Sequence, residues 1–568
     1  MKTRLILLFL FLWQLTPAQS GLTDAVITNI EQRISAGLNP SIVVGIIDSN
    51  GMQYFSFGTK TNAGDPVDEH TIYEIGSITK TFTGTLLAEL VVEGLLDLDD
   101  PVNKYLPENA QLPERNGEQI TLGHLSDHTS SLPRMPSNFD PANPDDPYID
   151  YDTELLYAFL ASVELTRDIG SQYEYSNLAQ GLLGQILADQ SGKSYEELMI
   201  EKIAGPLNMT ETKITLDSNM QSHLAIGHSD GAEVENWNFL AIAGAGAIRS
   251  STHDMLRYIG ANLGLIPSDL EMAFDLTQYP RHDKAGGEQV GLGWHIKPFD
   301  DGDIIWHNGG TGGYRTFTGF IKEENRGIIV MTNSTESVDD LGIHLLNTSS
   351  PLSEIRPRVS TEVRNAIDSN GIESGIVRFH EIKENSPTEY DFNESAMNSL
   401  GYHYLLNDQI DEALAVFKLN VEEYPESFNV YDSYGEALKE NGQHDLAIAN
   451  YKKSLELNPG NTGGIEMLEK LGVKYEAPEI KLDADILARY SGTYQLAPSF
   501  NMVITSEGNK IFGQATGQGQ FEMFATSETE FYLKVVAAKI VFKINNNGDA
   551  ESLTLFQGGQ EIPGNKIN

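Results

Sequence analysis

Residues 73–80 read Tyr73-Glu74-Ile75-Gly76-Ser77-Ile78-Thr79-Lys80, and how this stretch is read decides what the rest of the chain is expected to be. After the break at Gly76, Leu86, Leu87, Leu90, Val91 and Leu95 recur at intervals of three and four, so a long helix is expected from Ser77 to about Leu96. On such a helix Ser77 and Lys80 lie one turn apart on one face. Burial and the positive end of the helix depress a lysine pKa, and a neutral amine accepts a proton from a serine hydroxyl. Taken alone, Ser-x-x-Lys is a weak signal. A capping serine and a surface lysine read the same way.

Two further segments change its weight. Tyr175-Ser176-Asn177 follows Gly170 and precedes a helical stretch, Leu182 to Ser191. His307-Asn308-Gly309-Gly310-Thr311-Gly312-Gly313 runs on directly from a strand, Ile304 to Trp306, and its glycines let a substrate lie close against the strand edge. Together these segments resemble the motifs of the serine β-lactamase and penicillin-binding-protein-related hydrolases, nearest the class C branch with its D-aminopeptidase and family VIII esterase relatives. The flanking text agrees, since Leu122-Gly123-His124-Leu125-Ser126-Asp127-His128-Thr129-Ser130, Gly205-Pro206-Leu207-Asn208-Met209-Thr210-Glu211-Thr212 and Gly291-Leu292-Gly293-Trp294 stand in the expected order. The likeness spans Leu22 to Leu346.

The resemblance implies an α/β (α+β) fold, an antiparallel sheet flanked by helices plus an all-α domain. It implies an exported hydrolase without metal or cofactor, in which Ser77 attacks a carbonyl, Lys80 is its base, and Tyr175 relays the proton to the leaving group and then activates water. Asn177 would bond the substrate and Lys80, His307 would stand at the first position of the third motif, and Gly309 and Gly310 would form the strand edge. The N–H groups of Ser77 and Gly310 would make an oxyanion hole, a term worth about 3 kcal/mol per donor in other serine enzymes.

Three positions depart from the pattern: Ser131 stands where glycine is usual, Ile169 where proline is common, and His307 where lysine is frequent. A mostly neutral imidazole is a poor anchor for a carboxylate, with Arg315 a possible substitute from the same strand region. The expected substrate is therefore a carboxylic ester or a small (D-amino-acid) peptide or amide. The alternatives are β-lactamase or D-alanyl-D-alanine carboxypeptidase activity, or a sensor that binds cell-wall peptide or β-lactam without turnover.

Outside the motifs, Leu22 to Ala36 has helical spacing, and Asn50-Gly51 separates the apolar runs Ile42–Ile47 and Met52–Phe57 as a hairpin turn. Strands are expected again at Tyr314–Phe320 and Gly327–Met331, so that both ends of the region close one sheet. Between Leu400 and Leu471, Gly401 pairs with Gly435, Asp411 with Asp445, Ala413 with Ala447, Phe417 with Tyr451 and Pro425 with Pro459, each 34 residues apart. That is the tetratricopeptide period, and so short an array needs helices on either side. From Tyr490 onward seven short alternating segments, divided by turns such as Asn547-Gly548, predict a small antiparallel barrel or sandwich. The expected organisation is a signal peptide at 1–20, the hydrolase at 21–348, a linker with helical segments at 349–390, repeats at 391–475 and a β-domain at 476–568.

Composition sets limits. Met1-Lys2-Thr3-Arg4, the apolar run Leu5–Leu15 and Pro17-Ala18-Gln19-Ser20 read as a cleavable signal, because the run falls short of the roughly 20 residues that span a bilayer. A periplasmic or secreted protein with no membrane span is expected. The absence of cysteine removes disulfides and thiolate chemistry, and a formal charge of −43 argues against nucleic acid as a partner. The expected partners are the small-molecule ester, peptide or β-lactam substrate and a protein bound by the repeats. His124 and His128 lack a third ligand at useful spacing, Gly244-Ala245-Gly246 lacks the strand a nucleotide loop needs, and Asp97, Asp99 and Asp100 read as a solvated helix end.

Overall fold

The computed structural model describes residues 21–567 except 62, 300, 301, 476–479, 498, 499, 517, 518, 535, 537, 546, 547, 558 and 559. The expected signal at 1–20 and part of the Asn547-Gly548 turn lie outside the described residues. Among the described residues no helix is long and apolar enough to cross a membrane.

An eight-stranded antiparallel sheet organises the first part. Its order is Gly51–Gly58, Ser41–Asp48, Arg326–Thr332, Arg315–Ile321, Ile304–Gly310, His295–Lys297, Gln289–Val290 and His282–Asp283. The chain's early hairpin therefore pairs directly with its late strands, Val44 opposite Val330. Asp48 pairs with Gly51, which makes Ser49 and Asn50 the turn residues, one position earlier than Asn50-Gly51. The Asp48 carboxylate accepts the Asn50 N–H at 2.7 Å and so fixes the turn there.

Both faces of the sheet are covered, so the strand Ser41–Asp48 is apolar almost throughout rather than alternating. Ile42, Val44 and Ile46 pack with helices Asp24–Ser35 and Asp339–Leu346, while Val43 and Ile47 join the core on the other face. Gly45 admits the helix Thr252–Asn262, since a Cβ there would come within 2.7 Å of the Thr252 methyl.

The helix expected from Ser77 is divided. Gly76–Ile78 form a 3-10 turn and the α-helix runs Thr79–Val92, ending before Gly94, whose φ of +72° is left-handed. Nearly all of it is buried. Three of its threonines donate to backbone carbonyls, Thr81 to Ile78 at 2.8 Å, Thr83 to Gly244 at 2.7 Å and Thr85 to Thr81 at 2.9 Å, and Thr79 accepts the Ile248 N–H, so a helix without a polar face fits the core.

Helices Val359–Asn370, Ile372–Asn385, Glu394–Leu406, Ile410–Glu423, Phe428–Glu440, His444–Leu457 and Thr462–Lys470 follow. Neighbours in this series pack together except at the second step, where Ile372–Asn385 packs on Val359–Asn370 and Ile410–Glu423, and Glu394–Leu406 on Val359–Asn370 and Ile410–Glu423. Gly401 faces the Phe417 ring and Gly435 the Tyr451 ring, small residue against aromatic at both repeats of the sequence pattern. The helices also reach back to the first part, where Arg358 and Ser399 both bond the Asp230 carboxylate, at 2.8 Å each.

The last part is a closed antiparallel barrel of eight strands, Gly492–Ala497, Phe500–Glu507, Lys510–Ala515, Phe521–Ala525, Glu530–Leu533, Ala538–Ile544, Ala550–Gln557 and Gln560–Lys566. The eighth, Gln560–Lys566, contains Pro563 and Gly564 and was not expected from the pattern. It closes the barrel by pairing with both Ala550–Gln557 and Gly492–Ala497, which leaves no open edge.

Candidate active site

Gly76 places the serine. Its φ is +52°, and a Cβ on it would fall 2.6 Å from the Gly310 nitrogen, so the turn before Ser77 touches the strand Ile304–Gly310 backbone to backbone. Thr316 reinforces the contact by donating its hydroxyl to the Ile75 carbonyl at 3.0 Å. Ser77 thereby shares one cavity with Gly310 and Asn177.

Lys80 is fully buried. Its Nζ lies 3.0 Å from Ser77 Oγ and donates to the Ala245 carbonyl at 2.6 Å. Burial, and then the nearby positive charge of Arg134, hold its pKa well below the usual 10.5. Nζ is 4.8 Å from the centre of the Tyr175 ring. Burial pushes the Tyr175 phenol up to about 12 against the opposing hydrogen bond of Ser77, so the phenol is protonated at neutral pH.

Tyr175 is held from both sides along the chain. His128 stacks on its ring at 4.6 Å, and the His128 Nδ1 accepts the Ser176 N–H at 3.1 Å. Ser176 caps the helix Asn177–Ser191 by accepting the Ala179 N–H, and donates its hydroxyl to the Pro133 carbonyl at 2.6 Å. His128 therefore belongs to the site as the support of Tyr175, and His124 caps its own short helix through Thr121. Ser131 has a left-handed φ of +67°, the conformation that glycine would hold at that position, and donates its hydroxyl to the Arg167 carbonyl at 2.7 Å.

Asn177 stands in the cavity, but its amide nitrogen donates to Met135 Sδ at 3.7 Å, and the hydrogen-bond partners of Lys80 Nζ are Ser77 Oγ and the Ala245 carbonyl, not Asn177. His307 is buried and stacks on His295 at 4.7 Å; its Nδ1 donates to the Asn308 carbonyl at 2.6 Å. Burial, with Lys80 nearby, pushes His307 down to about 3, which leaves it neutral above that pH. Gly309 packs on the Ile75 carbonyl, where a Cβ would be 2.0 Å away.

Arg315 does not take the anchoring place expected for it. Its Nη1 donates to the Thr311 and Tyr314 carbonyls at 3.0 Å each, and the Asp339 carboxylate opposes the effect of its burial. The guanidinium at the cavity is that of Arg134, 5.0 Å from the Tyr175 ring centre. Tyr148, Trp237 and Phe239 form an aromatic wall, and Ala245 and Gly246 the floor, of a space of about 140 Å³. Sequence reasoning missed these residues. Gly244-Ala245-Gly246, set aside as a nucleotide loop, supplies the carbonyl that holds Lys80.

Comparison with known proteins places the chain in a family. The family described as Beta-lactamase matches residues 27–347, more than half of the chain. The chain belongs to the beta-lactamase family. A D-alanyl-D-alanine-carboxypeptidase/endopeptidase AmpH of Escherichia coli (strain K12) is 32% identical over 324 residues, 52% of this chain and 82% of that protein. A beta-lactamase of the same organism is 28% identical over 352 residues, 56% of this chain and 90% of that protein. The crystal structure of a class C beta lactamase from Rhodobacter sphaeroides matches the fold with a TM-score of 0.50 at 24% identity, covering 55% of this chain and 95% of that one. A domain of unknown function (DUF3471) matches residues 476–566, the barrel. This member of the family is thus a serine-hydrolase domain followed by helices and a β-barrel.

Proposed function

We propose that the protein hydrolyses a carboxylic ester or a small amide through an acyl-enzyme on Ser77. The observation that carries this reading is the buried Lys80 amine, 3.0 Å from Ser77 Oγ and depressed in pKa. In its neutral form the amine takes the Ser77 proton as Oγ bonds to the substrate carbonyl carbon. The oxyanion is received by the N–H groups of Ser77 and Gly310, which the Gly76 contact holds together. The Tyr175 phenol, protonated at neutral pH, gives its proton to the leaving oxygen or nitrogen and regains one from Lys80. In the second half a water passes its proton back along the same path and its oxygen displaces Ser77 from the acyl carbon.

The neutral His307 supports an ester or small peptide in preference to a β-lactam, because the third motif then offers no cation to the carboxylate of a β-lactam. A second reading, D-alanyl-D-alanine carboxypeptidase activity, is favoured by the likeness to AmpH. Export to the periplasm or beyond fits the N-terminal sequence, and the 34-residue pattern supports a tetratricopeptide module that binds a protein partner.

The test is a panel of p-nitrophenyl esters, a chromogenic cephalosporin and D-alanyl-D-alanine peptides, with fluorophosphonate labelling. Ser77→Ala should abolish labelling and lower turnover at least about a thousandfold. Residual activity above that level, or a stable adduct with no turnover in the wild type, overturns the hydrolase reading.

A further inference from the structure

The cavity at Ser77 is bounded by one cationic side chain and one apolar wall. Tyr148 and Phe239 stack 4.3 Å apart at 14°, with Trp237 5.2 Å from Tyr148. Two buried groups hold the segment bearing this wall. Glu74 accepts the Trp237 N–H at 3.0 Å, and Asp146 accepts the Asn238 N–H at 2.7 Å. The aromatic face is therefore preorganised and does not need a substrate to form it.

Arg134 is the only charged residue among the described residues that line this space. The chain carries 81 Asp and Glu against 38 Lys and Arg, so a cation without a carboxylate beside it is unexpected. Arg249, which lies behind the same wall, is paired with Glu74 at 3.1 Å, and Arg167 with Glu174. Among the described residues no carboxylate lies within ion-pair distance of Arg134; its side chain is exposed and stands over the Tyr175 ring. Its backbone carbonyl, which accepts the Asn177 N–H at 3.0 Å and the Leu178 N–H at 3.2 Å, already does the structural work of holding the Tyr175 segment. Among the described residues the guanidinium has no hydrogen-bond partner, the residue lines the cavity, and His307, neutral above about 3, does not compete for an anion.

We propose that Arg134 is a specificity-determining residue that anchors a negatively charged group of the substrate. The preferred substrate is then a compact ester or amide bearing a carboxylate within a few atoms of the scissile carbonyl, its carbon chain lying on Tyr148, Trp237 and Phe239. The net charge of −43 repels such a substrate at a distance. Screening over a Debye length of about 8 Å at physiological salt confines that repulsion, and the contact at Arg134 decides the outcome. The proposal rests on the reading of Ser77 as the nucleophile.

The test compares mono-p-nitrophenyl glutarate with the uncharged p-nitrophenyl ester of glutaramic acid, which differ in carboxylate against carboxamide. The readout is the ratio of their kcat/KM values in the wild type, Arg134→Gln and Arg134→Lys. The wild type should prefer the glutarate. Arg134→Gln should lower the ratio about tenfold through KM, and Arg134→Lys should restore part of it. A wild type that prefers the glutaramate, or a ratio unchanged within about twofold in Arg134→Gln, overturns the proposal. If neither ester is turned over and Ser77 resists labelling, the hydrolase reading fails by itself. Calorimetric binding of glutarate against glutaramide to the wild type and Arg134→Gln then decides the anchor: tighter glutarate binding lost in the variant upholds it, and no difference overturns it.

Discussion

Replacing Lys80 by methionine isolates the feature on which the proposed chemistry depends, an amine taken out of water beside Ser77. The side chain is fully buried, and its folded pKa is held well below 10.5 by burial. Over the window between the folded value and 10.5, the unfolded chain binds one proton that the folded chain does not. Stability therefore rises with pH in that window by about 1.4 kcal/mol per unit. The cost of burying the amine is largest at low pH and vanishes above about 10.5. Lys80→Met removes this slope; it also relieves the effect of Lys80 on His307, but that group titrates at about 3, far below the window. It also strips the Ala245 carbonyl of its donor, which costs about 1–3 kcal/mol at every pH. The constant cost moves both curves apart equally, so the diagnostic is the slope of their difference.

Urea unfolding of wild type and Lys80→Met at pH 8.5 and 9.5 should show the variant's relative stability falling by about 1.4 kcal/mol over that unit. A difference constant within about 0.4 kcal/mol would falsify the depressed lysine, and the general-base role of Lys80 with it. The same protonation should govern catalysis. Because the neutral amine is the active form, kcat/KM should rise with pH through the Lys80 pKa, and His307→Gln should leave that limb in place, since His307 is neutral above about 3.

Two further predictions address the frame of the site. Gly76→Ala puts a Cβ 2.6 Å from the Gly310 nitrogen at a φ of +52°. It should cost about 1–3 kcal/mol in denaturant unfolding and, by shifting Ser77 off the strand, about a hundredfold in kcat; a variant within about twofold of wild type would show that the contact does not set the nucleophile's position. For truncation, Ser353 is bonded by Asn29 at 2.9 Å and donates its N–H to Asp340 at 2.8 Å, so a chain ending after Pro357 should keep two ties that a chain ending at Leu346 loses. The longer form should have the higher Tm, by a difference worth about 1–3 kcal/mol, and equal melting of the two would discount those ties.

Much of the fold was legible because its signals are local. The Thr79–Val92 helix, the Ile304–Gly310 strand and most of the barrel strands announce themselves through neighbours two, three or four residues away. The eighth barrel strand was not legible, because Gln560–Lys566 carries no alternation and is strand only through the two edges it closes. Ser77, Lys80, Tyr175, Asn177 and His307 were singled out because each sits in a short motif. The structure brings all of them except Asn177 within reach of Lys80 or Tyr175, and it puts Asn177 in the Ser77 cavity. Arg315 was chosen for its nearness in sequence to the third motif. Carbonyls of its own loop absorb its guanidinium.

By itself, then, the sequence determined the segments and the reactive residue types, since backbone conformation and amphipathic spacing are properties of near neighbours. Only the tertiary structure decided that Arg134, Trp237 and Ala245 meet Ser77 in one cavity, and that Lys80 is dry enough to give up its proton. Arg134 and Trp237 come from loops and Ala245 from a single 3-10 turn, segments with no periodicity and more than fifty positions from Ser77 in each case. Desolvation depends on everything packed around a group, from whatever part of the chain it comes, and no local pattern records that.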